Sequence, residues 1–422
     1  MKQVYTVLLY LSIPVMLLRL LWRSLKLPAY RHRIGERFGW LRVAAVKESV
    51  WIHAVSVGEV QAAEPLIRWL LDQYPTLTLV VTTTTPTGSE RVRKLFSNNL
   101  IHLYFPYDLP FAINGFLKRL HPSLLVMIET EIWPNLLAIC ERQGITTILA
   151  NGRMSERSAR GYHRVGAFTR ATFARIALVA AQTKADADRF VALGVARDSV
   201  QVTGSIKFDI RLPASLFEQA AVVRRSWGDR PVWLAASTHE GEEELVLAAH
   251  RRVLRDHSNA LLVLVPRHPE RFERVALLCR REEIGLVRRS SGKRAAESDA
   301  VFLVDTMGEL TLFIAATDVT FVGGSLIPVG GHNVLEPAAL GVPILFGPHM
   351  FNFLLISEML LQAGAAIQVA GSEQLADKVS NWFADASART EAGERGRRLV
   401  AENRGALDRL SALITHYLPP AV

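Results

Sequence analysis

From residue 50 onward, short apolar runs alternate with stretches of helical spacing. Runs at 51–55, 77–81, 102–105, 124–128, 146–149 and 178–181 predict buried strands. Between them, 60–73 and 131–143 carry apolar residues at the three- and four-residue intervals of an amphipathic helix. The alternation restarts after Pro213. Its predicted strands are 232–235, 261–265, 301–304, 319–322 and 344–346, and its predicted helices are 242–255, 269–281 and 308–316. Strands alternating with helices imply parallel sheets covered on both faces. The chain therefore reads as α/β, with two doubly wound units at 28–210 and 211–422, the last helix free to pack back on the first unit. The stretch 288–299 (RRSSGKRAAESD) reads as a mobile surface loop.

The first 50 residues follow a different rule. Residues 4–22, VYTVLLYLSIPVMLLRLLW, are nearly all apolar and would span about 28 Å as one helix. Residues 1–27 thus form an expected membrane anchor. Pro14 and Arg19 interrupt the run, so spanning and lying in the interface both stay open. Arg23, Lys26, Arg31, Arg33, Arg37 and Arg42 follow, which puts the rest of the chain on the cytoplasmic side, its basic flank against anionic headgroups.

Composition narrows the partners. At 422 residues the chain exceeds one ordinary core, and 49 Lys plus Arg against 40 Asp plus Glu leave a net charge of +9. That excess suits anionic lipids or phosphorylated substrates; with no basic-aromatic or zinc-finger pattern, nucleic acid is not expected. The two cysteines, Cys140 and Cys279, sit in apolar helical patterns and read as buried hydrophobes. The twelve histidines show no metal-ligand spacing, and no metal or cofactor is expected.

In parallel sheets ligands sit beyond the strand C-termini, and the polar clusters of this chain follow the predicted strands. The densest is 318–348, DVTFVGGSLIPVGGHNVLEPAALGVPILFGP. A strand, paired glycines and a helix expected to start at His332-Asn333 make a phosphate site, with Glu336 near enough to accept from sugar hydroxyls. Glu59, after Gly58 at a helix start, is a candidate base that the helix dipole would hold ionised. Glu131 is a second candidate, with Glu129 close enough to raise one pKa. Lys207 and Arg267, the latter expected to open a helix with His268, are cations able to neutralise a leaving phosphate. No P-loop, GxGxxG after a strand, nucleophile elbow or HExxH is present.

Several motifs occur in a fixed order: SVGE at 56–59, TTTTPTGSERV at 82–92, PYDLP at 106–110, ETEIWPN at 129–135, TGSIKFD at 203–209, STHEGEE at 237–243, VPRHPERF at 265–272, DTMGEL at 305–310 and FVGGSLIPVGGHNVLEPAA at 321–339. Together they resemble the 3-deoxy-D-manno-octulosonic acid (Kdo) transferases of lipopolysaccharide synthesis, across essentially the whole chain. The resemblance implies a membrane-anchored GT-B fold, two Rossmann-like domains facing across a cleft. It implies CMP-Kdo as donor, the lipid A precursor (lipid IVA) as acceptor, and location at the bacterial inner membrane. By position, Glu59 matches the catalytic base and Glu131 a second acidic residue. Lys207 matches a residue near the donor phosphate. Arg267 and His268, Met307, Gly308, Glu309 and Leu310, and Asn333, Val334, Leu335 and Glu336 match CMP-contacting segments. A nucleotide-sugar epimerase or another GT-B glycosyltransferase of similar fold stays open as the alternative.

Overall fold

The computed structural model describes residues 1–210 and 212–419. It divides into two compact units, Met1–Asp209 with the chain from Arg404 onward, and Ile210–Asn403.

The first unit holds β1 (Ser49–His53), β2 (Leu79–Thr83), β3 (Ile101–Tyr104), β4 (Pro122–Ile128), β5 (Thr146–Gly152), β6 (Leu178–Ala181) and β7 (Val200–Val202). All pairs are parallel, in the order β3-β2-β1-β4-β5-β6-β7. Alternate residues feed opposite cores. Trp51 packs with Phe116 and Leu137 on one face, while Val50 and Ile52 pack with Leu66 and Leu410 on the other. Burial on both faces is why these strands read as continuous apolar runs.

Leu410 belongs to the helix Ala406–Thr415, which closes the first unit from the far end of the chain. Asp209 holds its N-terminus, accepting from the Gly405 and Leu407 N–H groups, each at 2.6 Å.

The second unit repeats the plan with β8 (Val232–Thr238), β9 (Leu261–Pro266), β10 (Leu286–Arg288), β11 (Val301–Leu303), β12 (Val319–Val322), β13 (Ile344–Phe346) and β14 (Ala366–Gln368). Their order is β10-β11-β9-β8-β12-β13-β14, again parallel. Strand order reverses between β1 and β4 in one sheet and between β8 and β12 in the other. Loops that leave such a switch point in opposite directions open the crevice where doubly wound sheets bind ligands.

Two expectations change here. The apolar N-terminus is not one helix but two, Lys2–Leu11 and Ile13–Lys26, bent by 48° around Ser12. Pro14 stands in the first turn of the second helix, where its missing N–H costs nothing, so the break falls just before it. Among the described residues no single helix is long and apolar enough to cross a membrane; the bent pair together has the length and composition to do so. The first helix is tied to its unit: Tyr5 donates to Asp108 (2.9 Å) and Thr6 to Asn135 (2.8 Å). The stretch 288–299 is pinned, since the buried Arg230 guanidinium donates to the carbonyls of Ala296 and Asp299.

Candidate active site

In the first unit the site is built at the β1/β4 switch point. After β1, Ser56 caps the helix Val57–Gln73, its Oγ accepting from the Glu59 N–H. Glu59 folds back, Oε2 accepting from the Val55 N–H at 2.8 Å and Oε1 lying 3.2 Å from Ser56 Oγ. This reciprocal cap fixes the carboxyl beside the strand end. Glu129 follows β4 with φ 60°, a left-handed conformation rare outside glycine that marks a constrained loop. It receives Lys207 Nζ at 2.8 Å. Glu131 accepts from Trp133 Nε1 at 2.8 Å.

Burial first, and then the charges of Glu129 and Glu131, push the Glu59 carboxyl up to about 8. Glu131 is likewise raised to about 7, chiefly by burial. The expectation that the helix dipole keeps Glu59 ionised is thus overturned, because desolvation and two neighbouring carboxylates outweigh half a charge at the helix end. A carboxyl of this kind is a stronger base once deprotonated than an exposed one.

Lys207 is not a free cation. It lies in the short 3-10 turn Ile206–Phe208, held by the Asn151 side chain, whose Oδ1 accepts from the Ile206 N–H at 3.2 Å. Behind Glu131 stands His53, fully buried on β1 and stacked on Phe105. Burial drives its pKa down to about 3, so the ring is neutral; Nδ1 meets Thr82 Oγ1 at 2.9 Å and Nε2 faces Glu131 Oε2 at 3.9 Å.

In the second unit the β8/β12 switch point carries the glycine loop. Glu242, wholly buried, accepts from the N–H groups of Gly324 (2.7 Å), Ser325 (3.1 Å), Leu326 (3.0 Å) and His239 (3.3 Å). Gly323 must be glycine, because a Cβ there would lie 2.8 Å from both the Ala236 carbonyl and Glu242 Oε2. His239 and His332 meet Nε2 to Nε2 at 2.7 Å, with the His268 ring edge-on to His239. Burial first, then the mutual repulsion any charge on these clustered imidazoles would meet and the nearby Arg267, lower His239 to about 4 and His332 to about 3. Both rings are therefore neutral, one Nε2 donating and the other accepting.

The helix expected at His332-Asn333 starts two residues later and is short, Leu335–Leu340. Asn333 shapes the approach to it: its Oδ1 accepts from the Leu335 N–H (3.0 Å) and its Nδ2 donates to Glu336 Oε1 (2.9 Å). Glu336 Oε2 also accepts from Thr311 at 3.4 Å. Val334 and Leu335 are buried supports. Arg267 does not open an α-helix but precedes the 3-10 turn Pro269–Arg271, since Pro269 ends the extended run. Among the described residues its side chain makes no hydrogen bond or ion pair, and His268 beside it is exposed. Met307 is half exposed, Gly308 has φ 87°, and Leu310 opens the helix Leu310–Ala315 in place of the expected start at Gly308. Glu309 is held by Arg289 at 2.8 Å and by Thr306, which keep its carboxyl below its ordinary range.

The residues expected at the site thus cluster after the strands at the two switch points, while the helix starts at Asn333 and Gly308 shift to Leu335 and Leu310. The buried Glu242 is not singled out by the sequence, since the glycine loop it holds lies more than 80 positions further on, and Glu129 reads there only as a neighbour of Glu131.

The comparisons converge on the same family. Residues 32–210 match the family model described as 3-deoxy-D-manno-octulosonic-acid transferase (kdotransferase). A 3-deoxy-D-manno-octulosonic acid transferase of Haemophilus influenzae is 41% identical over 98% of this chain and 98% of that protein. One of Bordetella pertussis is 36% identical over 90% of this chain and 89% of its own. At the level of fold alone, a UDP-GlcNAc 2-epimerase from Neisseria meningitidis superposes with a TM-score of 0.56 at 14% identity, over 87% of this chain and all of that one. Full-length identity at this level, together with carboxylates and glycine loop at the two switch points, decides the matter: the chain belongs to the 3-deoxy-D-manno-octulosonic acid transferases, a family of glycosyltransferases.

Proposed function

We propose that this chain moves Kdo from CMP-Kdo to a sugar hydroxyl of the lipid A precursor with inversion at the anomeric carbon. The observation that carries the reading is Glu59, half-buried at the β1/β4 switch point, held by the Val55 N–H and Ser56, with its carboxyl pushed up to about 8. The acceptor oxygen bonds to the anomeric carbon of Kdo as the bond from that carbon to the CMP phosphate breaks. The hydroxyl proton passes to Glu59, and CMP departs with the electron pair. One base suffices, since no covalent intermediate forms.

The Lys207–Glu129 pair supplies a fixed dipole beside the reacting groups, and Glu131 the second carboxylate. Arg267, His268, the turn Met307–Leu310 and the segment Asn333–Glu336 hold the nucleotide, with Glu336 available to ribose hydroxyls. The exposed apolar residues of the bent pair Lys2–Leu11 and Ile13–Lys26 support docking at the inner membrane, where the acceptor resides. The full-length relatives support this reading over the epimerase, whose likeness extends to the fold alone.

The test is transfer of Kdo from CMP-Kdo to lipid IVA, followed by mass spectrometry of the lipid. Wild type is expected to form a lipid-linked Kdo product and Glu59→Gln almost none, with CMP binding retained. No product from wild type would overturn the reading.

A further inference from the structure

The first unit carries a cavity of about 740 Å³ outside the site described above. Arg33, Glu36, Trp40, Arg42, Lys118 and Arg119 are the chemically telling residues of its lining. Four cations face one carboxylate. Arg33 is committed, bonded to Glu36 at 2.6 Å and to the His102 carbonyl at 2.6 Å, while Glu36 also accepts from the Tyr104 N–H. Arg42, Lys118 and Arg119 are exposed and make no ion pair or side-chain hydrogen bond among the described residues. Lys118 and Arg119 suit the C-terminal end of their own helix, Pro110–Leu120. Arg42 comes from a different segment and converges on the same space, which helix stabilisation alone does not require.

The walls are rigid. A Cβ at Gly115 would stand 2.8 Å from the Gly39 carbonyl oxygen, and one at Gly39 would overlap the Ala112 carbonyl, so loop and helix touch backbone to backbone. The volume falls within the 300–1,000 Å³ typical of preformed ligand sites.

One rim of the cavity is apolar. Trp40 is 71% exposed and lies 6.2 Å from Phe38, which stacks on Phe111 at 6.4 Å, and Phe111 meets Tyr10 of the first helix at 6.0 Å. The exposed faces of the two N-terminal helices, with Val7, Leu8, Leu11, Val15, Leu18 and Leu21, continue from there. A basic hollow bordered by an aromatic at the edge of an apolar surface matches a phospholipid, phosphate inward and acyl chains outward.

The position argues against the reacting lipid. Lys118 and Arg119 lie three to four residues before Pro122, where β4 begins, whereas Glu129 and Glu131 follow its end. Seven strand residues separate the two levels by about 20 Å. We propose that this cavity binds the phosphate of an anionic bilayer phospholipid distinct from the acceptor, fixing the first unit on the membrane through one defined lipid.

The test titrates the full chain in detergent with short-chain phosphatidylglycerol below its micelle concentration, by calorimetry, with inorganic phosphate as a parallel arm. The variant is Arg42→Ala/Lys118→Ala/Arg119→Ala, and the control is Arg225→Ala/Arg280→Ala/Arg281→Ala, three exposed cations of the second unit with the same loss of charge. Wild type and control should each bind one lipid per chain; the cavity variant should lose at least about tenfold in affinity yet keep its turnover and KM for detergent-dispersed lipid IVA. Four results would overturn the proposal: no saturable site, equal affinity for inorganic phosphate, a cavity variant that binds like wild type, or displacement of the lipid by lipid IVA with a raised KM in the variant. Circular dichroism of the variant separates loss of the site from loss of the fold.

Discussion

Replacing Glu59 by Gln changes charge and little else. Gln Oε1 can still accept from the Val55 N–H, and its amide can donate to Ser56 Oγ, so both contacts of the cap survive. The proton acceptor does not, and a loss of at least about 100-fold in kcat at saturating CMP-Kdo is expected. Stability should move the other way. A carboxyl near 4.5 in the unfolded chain and about 8 in the fold binds its proton more tightly when folded. The stability it contributes is therefore present below pH 4.5 and is lost as pH rises toward 8. Between those limits the loss is of order 2–4 kcal/mol near pH 7.5, the lower figure allowing for partial solvation. Gln is neutral throughout and escapes it. Melting temperatures of variant and wild type should coincide near pH 4, and the variant should melt about 4–16 °C higher near pH 8. Wild-type turnover, measured from pH 6 to 9, should climb about tenfold per pH unit before levelling near 8. A variant within a few-fold of wild-type turnover, or a flat profile below pH 8, would refute the assignment and turn attention to Glu131.

Three further outcomes are expected. Glu242→Gln should destabilise the second unit by about 2–4 kcal/mol, because an amide NH₂ would face N–H donors that now share a carboxylate; urea denaturation followed by tryptophan fluorescence measures it. Glu336→Ala should raise KM for CMP-Kdo with kcat nearly unchanged, as ribose contacts persist from ground to transition state, and a large fall in kcat at saturating donor would put it in the chemical step. Deleting residues 1–27 should leave a folded chain with weaker vesicle binding. The melting temperature should fall by a few degrees, since Asp108 keeps its bonds from the Asn135 and Leu136 N–H groups and loses only Tyr5.

How far the sequence could be read depended on burial. Strands covered on both faces leave an unbroken apolar run, and 178–181, 319–322 and 344–346 match β6, β12 and β13 residue for residue. The strands missed, β7, β10 and β14, are three-residue edges; Gln201 and Val202 face solvent, so no apolar run marks them. The run 4–22 reads as one helix because its apolar composition is continuous, whereas Pro14 fits a first turn without strain and so opens a second helix. Polar residues after apolar strands stand out, and that is what marks the candidate loops in the sequence. The state of Glu59 was not, since a sequence exposes the helix start but not the desolvation from the packed walls around it. Lys207 and Glu129 are 78 positions apart, and nothing local in either segment announces their pairing.

The return of the helix Ala406–Thr415 to the first unit has a consequence for synthesis. While the ribosome makes residues 210–403, the first sheet has emerged, but the surface that Leu407, Leu410 and Ile414 will cover stays open. At about 5–20 residues per second, those roughly 200 residues take some 10–40 s. The second unit, contiguous in the chain, can close on emergence, whereas the first to be made is the last to be finished. Its open apolar groove and its apolar N-terminal helices share that interval, a window for a chaperone or for early docking at the membrane before catalysis is assembled.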